Sequence, residues 1–333
     1  MKITRIAATV ATLALVAVGT FPVPPASAQQ KMVLKAADVH PLGYPTVEAV
    51  VRMGKKLEEG TKGRLSIQMY PSMQLGGEKE MIEQAQVGAL AIARISVGPM
   101  GPLVPELNVF NMPFMFRDVA HMERVIDGPI GVEMLKKLTD HPTAGLVGLA
   151  WMNAGTRNVY NSKRPVKSVE DLNGLKIRMM GNPLFVDTMN ALGGNGVALG
   201  FDQVFSSMQT GVIDGAENNP PSFIAQNHNQ VAKYFTMTEH LIIPELLVFS
   251  KISWQKLTPA DQALIKKLAK ECQAEQRVLW HEAEKVAIDK MKAAGTEMIM
   301  EVDKKPWRDA VKPVWDKYGA KYAEMVKRID AVK

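Results

Sequence analysis

The chain has 333 residues, of which 47% are hydrophobic and 22% are charged, and its formal net charge is +6 at pH 7. Lys and Arg alternate with Glu and Asp along the predicted helices instead of forming one basic stripe, so we expect no nucleic-acid partner. The single cysteine, Cys272, has no intrachain partner for a disulfide. A chain of this length exceeds what one hydrophobic core usually holds, which predicts two domains of roughly 150 residues each.

The N-terminal segment has the three parts of a secretory signal peptide. Lys2 and Arg5 give a positive start, an apolar run covers 6–18, and Ala26-Ser27-Ala28 is a small-x-small cleavage site. An uncleaved membrane anchor is the weaker alternative, because the apolar run is shorter than the about 20 residues that span a bilayer. The pattern predicts a signal peptide over 1–28 and an exported protein.

The next elements alternate between strands and helices. Residues 32–37 are an apolar strand candidate, a helix is predicted from a Thr46 N-cap to Gly60, and 64–70 alternates as a half-buried strand does. This order is typical of the α/β class, with parallel sheets flanked by helices.

Two later segments resemble each other, since 80–92 and 204–214 each combine a helix, a helix-ending glycine and a strand. Polar residues follow both strands, where ligands bind in open α/β sheets. We expect two lobes facing each other across a cleft, although so short a match also arises by chance. The alignment sets Arg94 opposite Glu217 and Ser96 opposite Asn219.

A long helix is predicted near the C-terminus. Thr258-Pro259-Ala260-Asp261 is a strong helix start, with a Thr N-cap, a Pro at the first position and an acidic residue at the third. The helical pattern continues to about Ala294. A helix of this length is able to brace both lobes.

Arg178 lies among apolar neighbours in a predicted strand, 175–179. A buried guanidinium needs a partner, and a ligand carboxylate matches its planar fork in a bidentate pair. An internal ion pair or a solvent-facing strand position explains the same pattern. Spacing alone favours one of these two structural explanations over a contact with a ligand.

Motifs spread over nearly the whole exported part of the chain decide between the ligand contact and the structural explanations for Arg178. These motifs are 70–76, 112–116, 174–178, 200–205, 209–218 and 238–240. In this order they resemble the DctP family, whose members capture a small organic acid in the periplasm and deliver it to a TRAP-type membrane transporter.

The resemblance implies a two-lobed α/β periplasmic-binding-protein clamshell with crossover strands near 153–156 and 239–245. It also implies a monomer that binds a small organic acid and the membrane subunits of a TRAP transporter. The lobes are expected to be discontinuous, lobe I comprising 29–154 and 243–282 and lobe II comprising 155–242 and 283–333.

The same resemblance suggests roles for individual residues. Arg178 corresponds to the arginine that clamps the ligand carboxylate, and Arg157 to a second cationic contact. Asn218 corresponds to the asparagine that hydrogen-bonds the same end of the ligand, and Phe201 to the aromatic residue that packs on it.

Within the family, the chain looks most similar to binders of hexuronates such as galacturonate and glucuronate at four places: 40–45, Arg94, 97–100 and 216–223. Ser96 and Gly181 depart from the sialic-acid branch, and Arg94 would add a cationic group at the cleft mouth. A sugar acid needs hydrogen-bonding partners for its hydroxyl groups and an aromatic face for its ring. The remaining candidates are His40, Glu78, Asn219, Glu239 and His240 for the hydroxyl groups and Tyr44 for the ring, although each also fits a surface or helix-capping role.

Other classes of protein have weaker support. The sequence lacks the HExxH, GxSxG and GxxxxGK[ST] motifs of common enzymes, and its histidines are scattered, so we expect neither catalysis nor a cofactor nor a bound metal. Its 21 methionines are better explained as adaptable core filler than as a copper site. An aldonate, a dicarboxylate or a keto acid remains an alternative ligand, and a calcium ion bridging the ligand stays open.

Overall fold

The computed structural model describes residues 31–333, so the predicted signal peptide lies outside the described residues. Within the described range, no helix combines the length and apolar character needed to cross a bilayer. The strands are β1 (Met32–Ala37), β2 (Leu65–Tyr70), β3 (Ile92–Ser96), β4 (Leu146–Met152), β5 (Thr156–Asn161), β6 (Lys176–Met179), β7 (Asn195–Ala198), β8 (Gly215–Asn218), β9 (Tyr234–Ile242), β10 (Glu245–Ser250) and β11 (Glu297–Ile299).

Helices cover the two sheets that these strands form. They are α1 (Pro45–Gly60), α2 (Glu78–Gln86), α3 (Val97–Met100), α4 (Val119–Asp127), α5 (Pro129–Asp140), α6 (Pro183–Ala191), α7 (Val204–Gln209), α8 (Pro220–Ala225), α9 (Lys251–Trp254), α10 (Pro259–Ala293), α11 (Lys304–Ala310), α12 (Lys312–Val314) and α13 (Ala323–Asp330).

The strands form two mixed sheets, which confirms the α/β class and the two-lobed architecture. The first sheet has the order β2-β1-β3-β10-β4 and the second β11-β9-β5-β8-β6-β7. The expected parallel pairing is present among β1, β2 and β3 and among β6, β7 and β8. The sheets are mixed because β10 is antiparallel to β3 and β4, and β5 is antiparallel to β8 and β9. The chain passes between the sheets at 153–155 and 243–244, so β5 and β10 each enter a sheet directly from the other one.

The long helix α10 contacts elements of both sheets. Thr258 caps it by accepting a hydrogen bond from the Asp261 backbone N–H, as the sequence predicted. Its residues pack against α1 and β4 on the side of the first sheet and against α8 on the side of the second. The predicted Thr46 cap of α1 is wrong, because Tyr44 takes the N-cap position and Pro45 begins the helix.

The C-terminal segment 304–333, which the sequence prediction places in lobe II, also binds to helices near the first sheet. Tyr322 donates to the Pro105 carbonyl at 2.7 Å, and the Trp315 indole donates to the Pro113 carbonyl at 3.0 Å. Tyr318 donates to Asp187 in α6, on the side of the second sheet. This segment therefore joins both lobes, as α10 does.

Candidate ligand-binding site

The candidate site is a cavity between the two sheets. Most of its polar residues lie near or beyond the carboxyl ends of β1, β2, β3, β6 and β8, where ligands bind in open α/β sheets. Arg157 and Glu245 lie at the start of the crossover strands β5 and β10. The lining residues are Val39, His40, Tyr44, Thr46, Glu78, Arg94, Ser96, Ala154, Arg157, Arg178, Met180, Phe201, Asn218, Asn219, Ser222, Glu245 and Trp280.

A cluster around Arg94 dominates the wall on the side of the first sheet. This first wall consists of His40, Tyr44, Glu78, Arg94, Ser96 and Glu245. The Arg94 guanidinium lies 2.6 Å from Asp38 Oδ1, 2.9 Å from Glu78 Oε1 and 2.6 Å from Glu245 Oε2. Burial opposes its positive charge, yet these three carboxyl groups raise the pKa of Arg94 well above its ordinary value.

Arg94 is therefore not the cationic group at the cleft mouth that the sequence suggested. Its side chain is 2% exposed and its charge is already neutralised by carboxyl groups of the protein. Ser96, two residues further along the same strand, has its hydroxyl 3.0 Å from both Glu78 and Glu245. Arg94 thus holds carboxyl groups in place at the wall.

The second wall lies on the side of the second sheet and consists of Arg157, Arg178, Phe201, Asn218, Asn219 and Ser222. Arg157 forms a bidentate ion pair with Glu217, whose Oε1 accepts from the Arg157 Nη2 at 2.8 Å. Arg157 also donates to the Asn218 side-chain oxygen at 3.1 Å, and that oxygen accepts from the Asn219 backbone N–H as well. The Asn218 amide nitrogen is therefore the part of this side chain that donates into the cavity.

Arg178 differs from Arg157 because it has no carboxylate partner among the described residues. Its Nε donates to the Leu199 carbonyl at 2.8 Å, and its guanidinium carbon lies 5.6 Å from the centre of the Phe201 ring. The residue is only 3% exposed, and burial lowers its pKa from the ordinary value. A buried guanidinium in this state attracts an anion strongly.

Direct contacts join the two walls. The His40 Nε2 lies 3.0 Å and the Tyr44 hydroxyl 2.8 Å from the Ser222 hydroxyl, and the His40 and Tyr44 rings stack at 3.7 Å. The Tyr44 hydroxyl also donates to the Asn219 side-chain oxygen at 3.5 Å. The structure is therefore that of a closed cleft.

Ten of the twelve predicted ligand-binding residues line the cavity, and Glu239 and His240 do not. Glu239 lines a separate cavity and forms an ion pair with Lys304 at 3.2 Å. His240 is fully buried, where desolvation and then Arg157 lower its pKa to about 3, so it stays neutral although Glu217 lies 3.9 Å away. Both residues lie where the register between β5 and β9 shifts, an irregularity that sequence spacing does not reveal.

Sequence reasoning missed several residues of the site. Asp38 and Glu245 are acidic residues at the ends of apolar strands, the same signal that drew attention to Arg178. Trp280 reaches the cavity from α10, and no signal in the helical pattern distinguishes it from a core residue. Ser222 lies in the matched 216–223 segment, yet its hydroxyl contacts with His40 and Tyr44 depend on the closed cleft.

Residues 36–321 match the model of the bacterial extracellular solute-binding protein family 7, DctP, and the chain belongs to this family. Among solved structures, a TRAP periplasmic solute-binding protein from Pseudomonas putida F1 with bound D-glucuronate is 55% identical, with a TM-score of 0.89 over 91% of this chain and 98% of that one. A Bradyrhizobium protein in complex with D-galacturonate is 43% identical, with a TM-score of 0.86 over 90% of this chain and 99% of that one.

A protein from Citrobacter koseri offers a comparison of two states. Its form with bound D-glucuronate is 49% identical to this chain and gives a TM-score of 0.89 over 91% of this chain and all of that one. Its apo, open form is 47% identical and gives a TM-score of 0.79 over 90% of this chain and 98% of that one. The higher score of the ligand-bound form agrees with the closed cleft described above.

The two arginines of the second wall should differ in their effect on stability. Arg157→Ala leaves Glu217 buried without its ion-pair partner, so we expect the free energy of unfolding to fall by about 3–5 kcal/mol. Arg178→Ala removes a buried charge that has no carboxylate partner, so the ligand-free protein should be as stable as the wild type or more stable. Urea unfolding of both variants measures this difference, and a large loss in Arg178→Ala would indicate an internal ion pair instead.

Acidification should destabilise the fold through buried neutral histidines. Burial, followed by the neighbouring Arg178 and His40, lowers the pKa of His228 from 6.5 to about 3, so the unfolded chain takes up a proton below pH 6.5 that the folded chain does not. Stability is therefore present above pH 6.5 and falls as the pH decreases towards 3, by about 1.4 kcal/mol per pH unit for this histidine.

Urea unfolding at pH 7 and pH 5.5 isolates this effect, because Asp and Glu ordinarily titrate below that range. Between pH 7 and pH 5.5, the free energy of unfolding of His228→Gln should fall by about 1 kcal/mol less than that of the wild type, whatever the stability of the variant at pH 7. His281→Gln, at an exposed histidine, is the matched control. An unaltered pH dependence in His228→Gln would contradict the assignment.

Proposed function

We propose that this protein is a periplasmic solute receptor that binds a hexuronate, D-glucuronate or D-galacturonate, and delivers it to a TRAP transporter. The observation that carries this proposal is the buried Arg178 guanidinium, which faces the cavity without a carboxylate partner among the described residues. A ligand carboxylate supplies the missing charge. Relatives that are 43–55% identical and cover nine-tenths of the chain were solved with D-glucuronate or D-galacturonate bound.

The two walls suit the two ends of such a ligand. Arg178 binds the carboxylate, and the Asn218 amide nitrogen donates to the same end, while Arg157 adds positive potential behind Asn218. Phe201 offers an apolar face beside the carboxylate. Glu78, Glu245, His40 and Asn219 supply the polar atoms for hydroxyl groups.

Binding at both walls explains closure of the cleft. A ligand favours the closed form only if it contacts that form more strongly than the open one. The carboxylate contacts the second wall and the hydroxyl groups contact the first, so neither set of contacts is complete until the lobes meet. We propose that the receptor is a monomer, releases the acid chemically unchanged and presents the closed lobes to the membrane subunits of the transporter.

A thermal-shift screen tests the choice of ligand, and it uses protein that has first been unfolded and then refolded. Refolding removes acid retained during purification. Ligand at about 100 times its Kd should stabilise the fold by about 2.7 kcal/mol, which raises the Tm measurably. We expect a shift with D-glucuronate and D-galacturonate, whereas a shift confined to aldonates, dicarboxylates or keto acids would replace the hexuronate assignment.

Arg178→Ala tests the carboxylate contact. Loss of this partner should weaken hexuronate binding by about 2–5 kcal/mol, a factor of about 30 to several thousand in Kd. Lys176→Ala, which removes a positive charge from an exposed position of the same strand, is the control and should bind as the wild type does. Calorimetric titration measures both, and equal affinities in the two variants would refute the role of Arg178.

A further inference from the structure

The formal charges of the two walls are opposite. On the second wall the charges of Arg157 and Glu217 compensate each other, and Arg178 remains as a single positive group. On the first wall one guanidinium, Arg94, contacts three carboxyl groups. The cavity is therefore positive at one end and negative at the other.

The first wall stays negative even where one of its acids binds a proton. Burial raises the pKa of Glu245, and the nearby Glu78 carboxyl adds to this effect against the opposing effect of Arg94. Two further carboxyl groups, Asp38 and Glu78, still surround the one guanidinium. His40 adds no positive charge, because burial and Arg94 lower its pKa.

Glu78 is the acidic residue best placed to act on a ligand. Its Oε1 accepts from the Arg94 Nη1 at 2.9 Å, from the Ser96 backbone N–H at 2.8 Å and from the Ser96 hydroxyl at 3.0 Å. Among the described residues, its Oε2 has no hydrogen-bond donor, and Glu78 lines the cavity. This oxygen is able to accept a hydrogen bond from a ligand hydroxyl group.

On the basis of the proposed function, we propose that the negative first wall, acting through Glu78, restricts the site to sugar acids with a single carboxylate and rejects the corresponding diacids. A hydroxyl group at that end of the ligand donates to Glu78. A second carboxylate there faces carboxyl groups at close range, has no proton to donate and is repelled. Arg94 is a positioning residue that holds this repulsive group in place.

The site should consequently distinguish two acyclic acids of the same carbon skeleton, D-gluconate and D-glucarate. They differ only at one end, where a CH₂OH group in D-gluconate is replaced by a carboxylate in D-glucarate. Like-charge contacts in a desolvated site should weaken binding by at least on the order of 100-fold in Kd. The wild type should therefore bind D-glucarate far more weakly than D-glucuronate or D-gluconate.

The test is calorimetric titration of D-glucuronate, D-gluconate and D-glucarate into the wild type and Glu78→Gln. Gln retains an oxygen for Arg94 and Ser96 and replaces the Oε2 atom with a donor. We expect Glu78→Gln to improve the affinity for D-glucarate at least about tenfold relative to both monoacids. Glu83→Gln, at an exposed position of the same helix, should leave all ratios unchanged.

Each outcome has a distinct meaning. If the wild type fails to bind D-glucuronate, the proposed function is wrong. If it binds D-glucuronate and also binds D-glucarate equally well, or if Glu78→Gln weakens all three acids by the same factor, the function stands and the charge-selection proposal is wrong. Should Glu78→Gln not fold, as judged by circular dichroism, Glu78→Ala carries the same measurement because it removes the same carboxylate from the cavity.

Discussion

Burial of the Arg178 charge without an internal counter-charge is the constraint on which the site depends. Taking a guanidinium out of water is unfavourable, and proteins normally compensate by pairing it, as this chain does for Arg157 with Glu217 and for Arg94 with three acids. Only Arg178 lacks such a partner among the three cations of the described cavity wall. Because Arg178 forms no internal ion pair, its guanidinium remains able to bind a ligand anion.

The fold keeps this arrangement in register by joining the lobes at several places. The crossovers at 153–155 and 243–244 bring β5 and β10 to the cavity, so Arg157 and Glu245 are placed by the connections themselves. Helix α10 and the C-terminal segment contact elements near both sheets. The ion pairs Arg94–Glu245 and Arg157–Glu217 each join residues of a single sheet, so we expect them to stay intact when the cleft opens.

The sequence predicted the architecture and most of the cavity residues for identifiable reasons. Strands and helix caps are local features, so the α10 start at Thr258 and the position of Arg178 within an apolar strand were readable from the sequence pattern. The state of each charged group was not readable. Arg94 and Arg178 both lie within strands, and only the three-dimensional proximity of Asp38, Glu78 and Glu245 shows which of them is already paired.

The direct contacts of His40 and Tyr44 with Ser222 also affect the ligand-free protein. These hydrogen bonds involve no ligand atom, so they stabilise the closed form of the empty protein as well as that of the loaded one. Each of them raises the fraction of ligand-free molecules that are in the closed form. In a receptor of the proposed kind, such molecules would compete with ligand-bound ones for the transporter, so stronger contacts of His40 and Tyr44 with Ser222 would lower the efficiency of ligand delivery.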